Sequence, residues 1–216
     1  MEGFEKAAKS VPDLIISDIM MPGLDGISLC RKLKEDQRTS HIPIILLTAK
    51  SEDESKIEGL KMGSDDYMIK PFSAEELLLR VNNLIRQQQK FKEKYSQYIT
   101  LDPGEMTVAS VDGQFLQRVL KVVGEQSVNP EFDVDVFGRE IGMSKTQLNR
   151  KLSALVDQSP GEFIRTFRLK KAANMLKQHH GNVAEIAYMV GFSSPNYFTK
   201  CFHDQQPTSH DYNFFR

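Results

Sequence analysis

The chain has 216 residues, 28 of them basic and 29 acidic, with a formal charge of −1; that length accommodates one large domain or two ordinary ones. Two cysteines, Cys30 and Cys201, are too few for a disulfide scaffold and have no metal-ligand spacing. No apolar run reaches membrane-spanning length and Asp13 and Asp18 interrupt any signal-like stretch, so a soluble, cytoplasmic chain without membrane contact is expected.

The near-neutral total hides a division. Residues 1–85 hold 11 Lys/Arg against 15 Asp/Glu, whereas residues 139–177 hold nine against three. A net of −4 in the first part and +6 in the later segment favours an anionic partner for the second half only.

Residues 3–10 read as a helix. Leu14-Ile15-Ile16-Ser17-Asp18 then forms a short apolar run ending in a carboxylate. A second run, residues 42–48, ends in the hydroxyl of Thr48, and a third, residues 67–70, ends in the amine of Lys70. Helical patterns at 26–37, 51–62 and 74–88 separate and follow these runs. Continuous apolar strands alternating with helices predict a parallel sheet covered on both faces. Ligand sites in such sheets form at the carboxyl ends of the strands, where Asp18, Thr48 and Lys70 all fall.

The stretches PDLIISDIMMPGLDG (12–26), PIILLTAK (43–50) and GSDDYMIKPF (63–72) resemble the receiver domain of response regulators. The resemblance implies that Asp18 accepts a phosphoryl group from a histidine kinase domain, in trans or in the same parent polypeptide. It also implies that Thr48 and Lys70 contact the phosphoryl oxygens and that Tyr67 changes burial on switching. A carboxylate is a competent nucleophile for phosphoryl transfer, and an amine neutralises the charge that arrives. Receivers also bind Mg2+ through Asp18 and an acidic pair on a first strand. No such pair precedes Asp18: Glu2 and Glu5 fall on the first helix, and only the last three of five expected strands are present. The expectation is therefore a fragment of a longer protein, the alternative being a degenerate receiver, with an exposed sheet edge in either case. Some other carboxylate, Asp65, Asp66 or one from a dimer partner, would be needed to complete the site in this chain.

Residues 86–98 continue the last receiver helix in a polar, basic form. Asp102-Pro103-Gly104 signals a turn and 106–111 a short strand. The expected division is a partial receiver at 1–88, a linker at 89–109 and a second domain at 110–216, opening with a helix at 115–125.

The second domain carries a near-repeat. A helix at 134–141, a break at Gly142-Met143-Ser144 and a helix at 145–155 are followed by a helix at 183–190, a break at Gly191-Phe192-Ser193 and a helix at 195–203. Ser144 is the expected cap of one second helix and Ser193 or Ser194 of the other, with Pro195 in its first turn. Aligning the glycines pairs Ile141 with Val190, Met143 with Phe192, Leu148 with Tyr197 and Leu152 with Cys201. A long amphipathic helix across 160–176 joins the two units and is suited to hold two recognition helices about 34 Å apart, one turn of DNA.

MSKTQLNRKLSAL (143–155), SPGEFIRTFRLKKAANML (159–176) and VAEIAYMVGFSSPNYFTKCF (183–202) resemble the AraC-type DNA-binding domain over about 115–202. Together with the receiver stretches, they resemble the C-terminal end of Bacteroides-type hybrid two-component regulators. The fold class implied is α/β followed by all-α, a partial doubly wound parallel sheet and then two helix-turn-helix units. The function implied is sequence-specific binding of double-stranded DNA under phosphorelay control, with homodimerisation as an added option; the alternative is a phosphorelay or interaction fragment without operator binding. After Phe202 the aromatic and glycine of that family are lacking, leaving Tyr212, Phe214 or Phe215 to fill the core. Candidate base-reading residues are Lys145, Gln147, Asn149 and Arg150, then Ser194, Asn196 and Lys200, whose amide, hydroxyl and cationic groups suit purine edges. Candidate phosphate contacts are Lys151, Arg165, Lys170 and Lys171. Leu148, Tyr197 and Phe198 are expected in the core. No Walker loop, zinc signature or nucleophile–histidine pairing suggests an enzyme.

Overall fold

In the computed structural model, residues 2–49, 63–101 and 110–205 are described. Two compact units emerge, one mainly of residues 1–98 and one mainly of residues 117–153 and 158 onward. The helix expected at 51–62, the turn at 102–104, residues 106–109 of the strand expected at 106–111 and the aromatic residues after 205 lie outside the described residues, and Val111, the expected strand end, begins a helix instead.

The first unit opens with α1 (Glu2–Ser10) and continues with β1 (Ile15–Asp18), α2 (Gly26–Glu35), β2 (Ile44–Thr48), β3 (Asp66–Ile69) and α3 (Ala74–Leu101). The three strands are parallel in the order β1-β2-β3, with Asp18 opposite Leu47 and Thr48 opposite Ile69. Strand side chains alternate between faces. Ile15, Ile44, Leu46 and Tyr67 pack with Ala7, Leu29, Cys30 and Leu33 of α1 and α2. Ile45, Leu47 and Met68 pack instead with Leu77, Val81 and Leu84 of α3. Burial on both faces explains why the strands read as unbroken apolar runs rather than alternating ones. β1 is an outer strand of this sheet, and its Ile16 is 43% exposed, the open edge expected from the sequence. The cysteine of this core, Cys30, is buried in apolar surroundings that push its thiol up to about 11.

α3 runs unbroken past residue 88 to Leu101, so the polar stretch 86–98 continues the helix as the sequence predicts. Glutamines and lysines of high helix propensity favour that continuation.

The second unit contains most of α4 (Val111–Gln126) and of α6 (Lys145–Val156), together with α5 (Val134–Ile141), α7 (Pro160–Lys177), α8 (Val183–Met189) and α9 (Pro195–Gln205). Asp133 caps α5, holding the N–H groups of Asp135 and Val136 at 2.9 and 2.8 Å, and those bonds hold its carboxyl below the usual carboxylate range. α7 and α8 begin with capping boxes, Ser159 with Glu162 and Asn182 with Glu185. Leu169, Ala172, Ala173 and Leu176 of α7 form a core with Ile186, Ala187 and Val190 of α8 and Phe198, Cys201 and Phe202 of α9. Phe137 of α5 bridges toward Phe163 of α7, with ring centroids 6.4 Å apart. This is the partial parallel sheet followed by a helical domain that the sequence predicts.

Candidate functional sites

At the sheet's carboxyl end, the loop after β1 is set by backbone bonds. Ile19 N–H donates to the Leu47 carbonyl at 2.8 Å, and Gly26 N–H donates back to the Ile19 carbonyl at 3.0 Å. A Cβ on Gly26 would overlap the Asp18 carbonyl oxygen and come within 2.9 Å of the Ile19 Cα. Gly26 therefore lets the first turn of α2 press against the Asp18 loop, a requirement that no local sequence pattern announces. Asp25 caps that helix, accepting from Ser28 N–H at 2.8 Å.

Lys70 follows β3 directly, its N–H bonded to the Thr48 carbonyl at 2.8 Å. Its ammonium forms an ion pair with the Asp18 carboxylate, whose other oxygen accepts Met20 N–H at 3.1 Å. The Lys70 ammonium foremost, and the Met20 amide next, hold the Asp18 carboxyl below the usual carboxylate range. Thr48 is buried at the end of β2, one residue beyond the partner of Asp18. Tyr67 is half-buried on the α1/α2 face of the sheet. The structure thus brings Asp18 and Lys70 into contact and sets Thr48 at the same sheet end.

Asp65 and Asp66 do not join them. They stand at the start of β3, with Asp65 bound to Lys34 at 2.7 Å and to Ile44 N–H at 2.8 Å, and Asp66 bound to Arg80 at 2.8 Å. Magnesium prefers near-octahedral oxygen ligands, usually including one or two carboxylates. Among the described residues no group of three or more His, Cys, Asp or Glu side chains could hold a metal, and Asp18 is already engaged by Lys70. These residues do not by themselves fit a magnesium site.

In the second unit, both helix-turn-helix breaks close in the same way. Gly142 N–H bonds the Arg139 carbonyl at 3.0 Å and Met143 N–H the Gly138 carbonyl at 2.9 Å. Gly191 N–H bonds Tyr188 at 3.0 Å and Phe192 N–H bonds Ala187 at 2.9 Å. Each is a Schellman-type end with glycine in the left-handed region, at φ 72° and 92°. Gly138 adds a close approach, since a Cβ there would stand 2.8 Å from the Met143 carbonyl oxygen.

Beyond the glycines the repeats differ by one residue. Ser144 Oγ accepts Gln147 N–H, and Ser194 Oγ accepts Tyr197 N–H, so the caps are fifty positions apart where the glycines are forty-nine apart. The inward residues follow the caps: Leu148 matches Phe198 and Leu152 matches Phe202, all four buried. The expected pairing of Leu148 with Tyr197 is corrected, and Tyr197 is 52% exposed rather than in the core. Its counterpart is Gln147, Thr146 matches Asn196, and Arg150 matches Lys200. With 100° per residue, Thr146 and Arg150 project about 160–200° from Leu148, away from the core, as do Asn196 and Lys200 from Phe198. Thr146, absent from the expected base readers, lies at the centre of that exposed face.

The other candidates divide. Lys145 and Asn149 are exposed, and Lys145 lies 3.7 Å from Asp135. The Gln147 amide oxygen is engaged in its own cap, accepting Ser144 N–H at 3.1 Å, and the Ser194 hydroxyl is occupied as a cap. Lys151 is 1% exposed, so its amine is buried and not displayed to a phosphate, a correction to its expected role. Lys170 is half-buried, and burial pushes its amine down. Arg165 and Lys171 are half-buried on α7. Arg168, singled out by no pattern, donates to the carbonyl oxygens of Ser127 at 2.8 Å and Asn129 at 2.9 Å. Part of the basic segment therefore holds the unit together.

Residues 1–82 match the response regulator receiver domain, and residues 137–206 match a helix-turn-helix domain. Histidine kinase P4 of Formosa agariphila is 44% identical over 91% of this chain and 14% of its own length. The DNA-binding dual master transcriptional regulator RpaA of Synechocystis is 38% identical over 50% of this chain and 45% of its own length. The phosphate regulon transcriptional regulatory protein PhoB of Pseudomonas aeruginosa is 55% identical over 35% of this chain and 33% of its own length. The chain thus spans less than half the length of each of these relatives. It joins a receiver domain to a helix-turn-helix domain. No helix among the described residues is long and apolar enough to cross a membrane.

Proposed function

We propose that this chain is the output portion of a two-component regulator: a sequence-specific DNA-binding transcriptional regulator whose helical unit answers to phosphorylation of Asp18. The observation that carries the reading is the paired second helices. Each follows a glycine-closed turn, each starts at a serine cap, and each presents a cation, Arg150 or Lys200, on the side away from its buried core. Cationic and amide groups on such a face suit base edges in the major groove. The two-unit arrangement and the quoted sequence stretches favour an AraC-type domain, and the Formosa relative favours descent within hybrid two-component regulators.

Asp18 is the phosphoacceptor in this reading, with Lys70 and Thr48 as phosphoryl contacts and Tyr67 as the switch residue. The donor is a histidine kinase domain, in trans or in a longer parent polypeptide. Lys70 answers the charge of an incoming phosphoryl group only by releasing part of its hold on Asp18. Magnesium would need oxygen ligands beyond the described residues. A homodimer on DNA and a cytoplasmic location complete the reading.

The test is selection of duplexes from a random pool by the full chain, followed by affinity measurement at physiological salt. A selected duplex bound about 1,000-fold or more tightly than its scrambled version supports the proposal. Equal affinity for both overturns it.

A further inference from the structure

We propose that Tyr197 is the residue through which the second helix-turn-helix unit reads thymine, its ring lying against the C5-methyl group in the major groove. The inference rests on the DNA-binding reading above and goes beyond it to a base and a side chain. Its origin is the one-residue difference between the repeats. Once the caps are aligned, Phe198 fills the core position of Leu148, and Tyr197 falls beside Asn196 and Lys200 on the outward side of α9.

At the matching place in α6, Gln147 turns its amide oxygen back onto the Ser144 N–H. A phenol ring cannot close such a box, so the second helix has an aromatic side chain where the first has a capping amide. That ring is not loose: it packs at 6.0 Å and 51° against Phe192, a buried residue of the turn. Bracing at its base while half its surface faces water gives an ordered apolar contact with little side-chain freedom left to lose on binding. Of the four base edges in the major groove, only thymine offers an apolar group. The neighbouring Asn196 and Lys200 are polar, so Tyr197 supplies the apolar part of this face.

The experiment uses the full chain and the duplex it selects from a random pool, with each thymine replaced singly by uracil, which lacks the methyl group. At one thymine the replacement should weaken wild-type binding about 4-fold, the worth of one buried methyl. Tyr197→Phe, which keeps the ring, should retain that discrimination. Tyr197→Ala should bind the thymine and uracil duplexes alike, and Tyr197→Gln, carrying the side chain of the first helix, provides the same measurement if the alanine variant is poorly folded. Wild-type indifference to every uracil overturns the inference, as does discrimination at the same position by the alanine or glutamine variant. Failure to select any duplex removes the DNA-binding reading and this inference together; a selected duplex without Tyr197-dependent methyl sensitivity removes only this one.

Discussion

A Cβ placed on Gly191 would overlap the carbonyl oxygen of Ser127 and lie 3.0 Å from the Arg168 Nε, whose N–H already donates to that oxygen. Three segments thus meet where the second turn passes α7, and glycine is required there twice over, by space and by its φ of 92°. Gly191→Ala should destabilise the helical unit by about 2–4 kcal/mol, combining left-handed strain with overpacking. Gly142→Ala meets nothing within 4 Å and should cost only the backbone term, about 1 kcal/mol. Urea unfolding followed by circular dichroism compares them, and equal losses would mean that the Ser127 contact is immaterial.

The salt dependence of DNA binding should come from the exposed cations and not from the whole basic segment. Raising salt from 50 to 200 mM should weaken binding about 10-fold or more if at least two phosphates are neutralised. Arg150→Ala and Lys200→Ala should each cost about 1–3 kcal/mol and relax preference at one base if they read bases, or reduce the salt slope by about one if they contact phosphates. Lys151→Met should leave the slope unchanged, because that amine is buried. A shallower slope for Lys151→Met would return it to the DNA-facing surface.

Lys70→Met should raise the Asp18 pKa toward the ordinary carboxylate value of about 3.9. Because the folded value is the depressed one, the pair's contribution to stability is present above that ordinary value and fades as pH falls through the folded pKa. Both groups are about a third exposed, so the effect on stability is small, and carboxyl NMR titration is the sensitive measurement. An unchanged Asp18 pKa in Lys70→Met would show that the Met20 amide alone sets it.

Gly26→Ala should disturb the loop after β1 while leaving the Asp18 side chain chemically unchanged. The added methyl collides with backbone at Asp18 and Ile19, which cannot move as a side-chain tip could. The expected result is about 1–3 kcal/mol of lost stability in the sheet unit, with amide NMR shifts concentrated at residues 18–26. Shifts confined to the immediate neighbours of residue 26 would mean that the helix start yields instead.

The strand ends were readable from sequence because burial on both faces leaves unbroken apolar runs, and their last residues are polar. The helix-turn-helix breaks were readable because a left-handed helix end favours glycine so strongly. Other features depend on encounters that local patterns do not encode. Gly26 and Gly138 are needed for close approach to backbone elsewhere in the fold. Lys151 is enclosed despite its charge, and Arg168 is drawn to two carbonyl groups some forty residues away in sequence. The exposed position of Tyr197 was hidden by the adjacent serines 193 and 194: either can cap a helix, and choosing one over the other turns every later side chain by about 100°.

That single extra residue in the second turn has a consequence for the DNA. Two units built on one plan present Thr146 and Arg150 from the first helix but Asn196, Tyr197 and Lys200 from the second. They also follow one another along a single chain. A site that suits one chain should therefore be neither a palindrome nor the same word written twice. If the proposed DNA binding holds, that site should consist of two unlike words in fixed order, and reversing either one should spoil recognition, so that binding has a direction along the duplex.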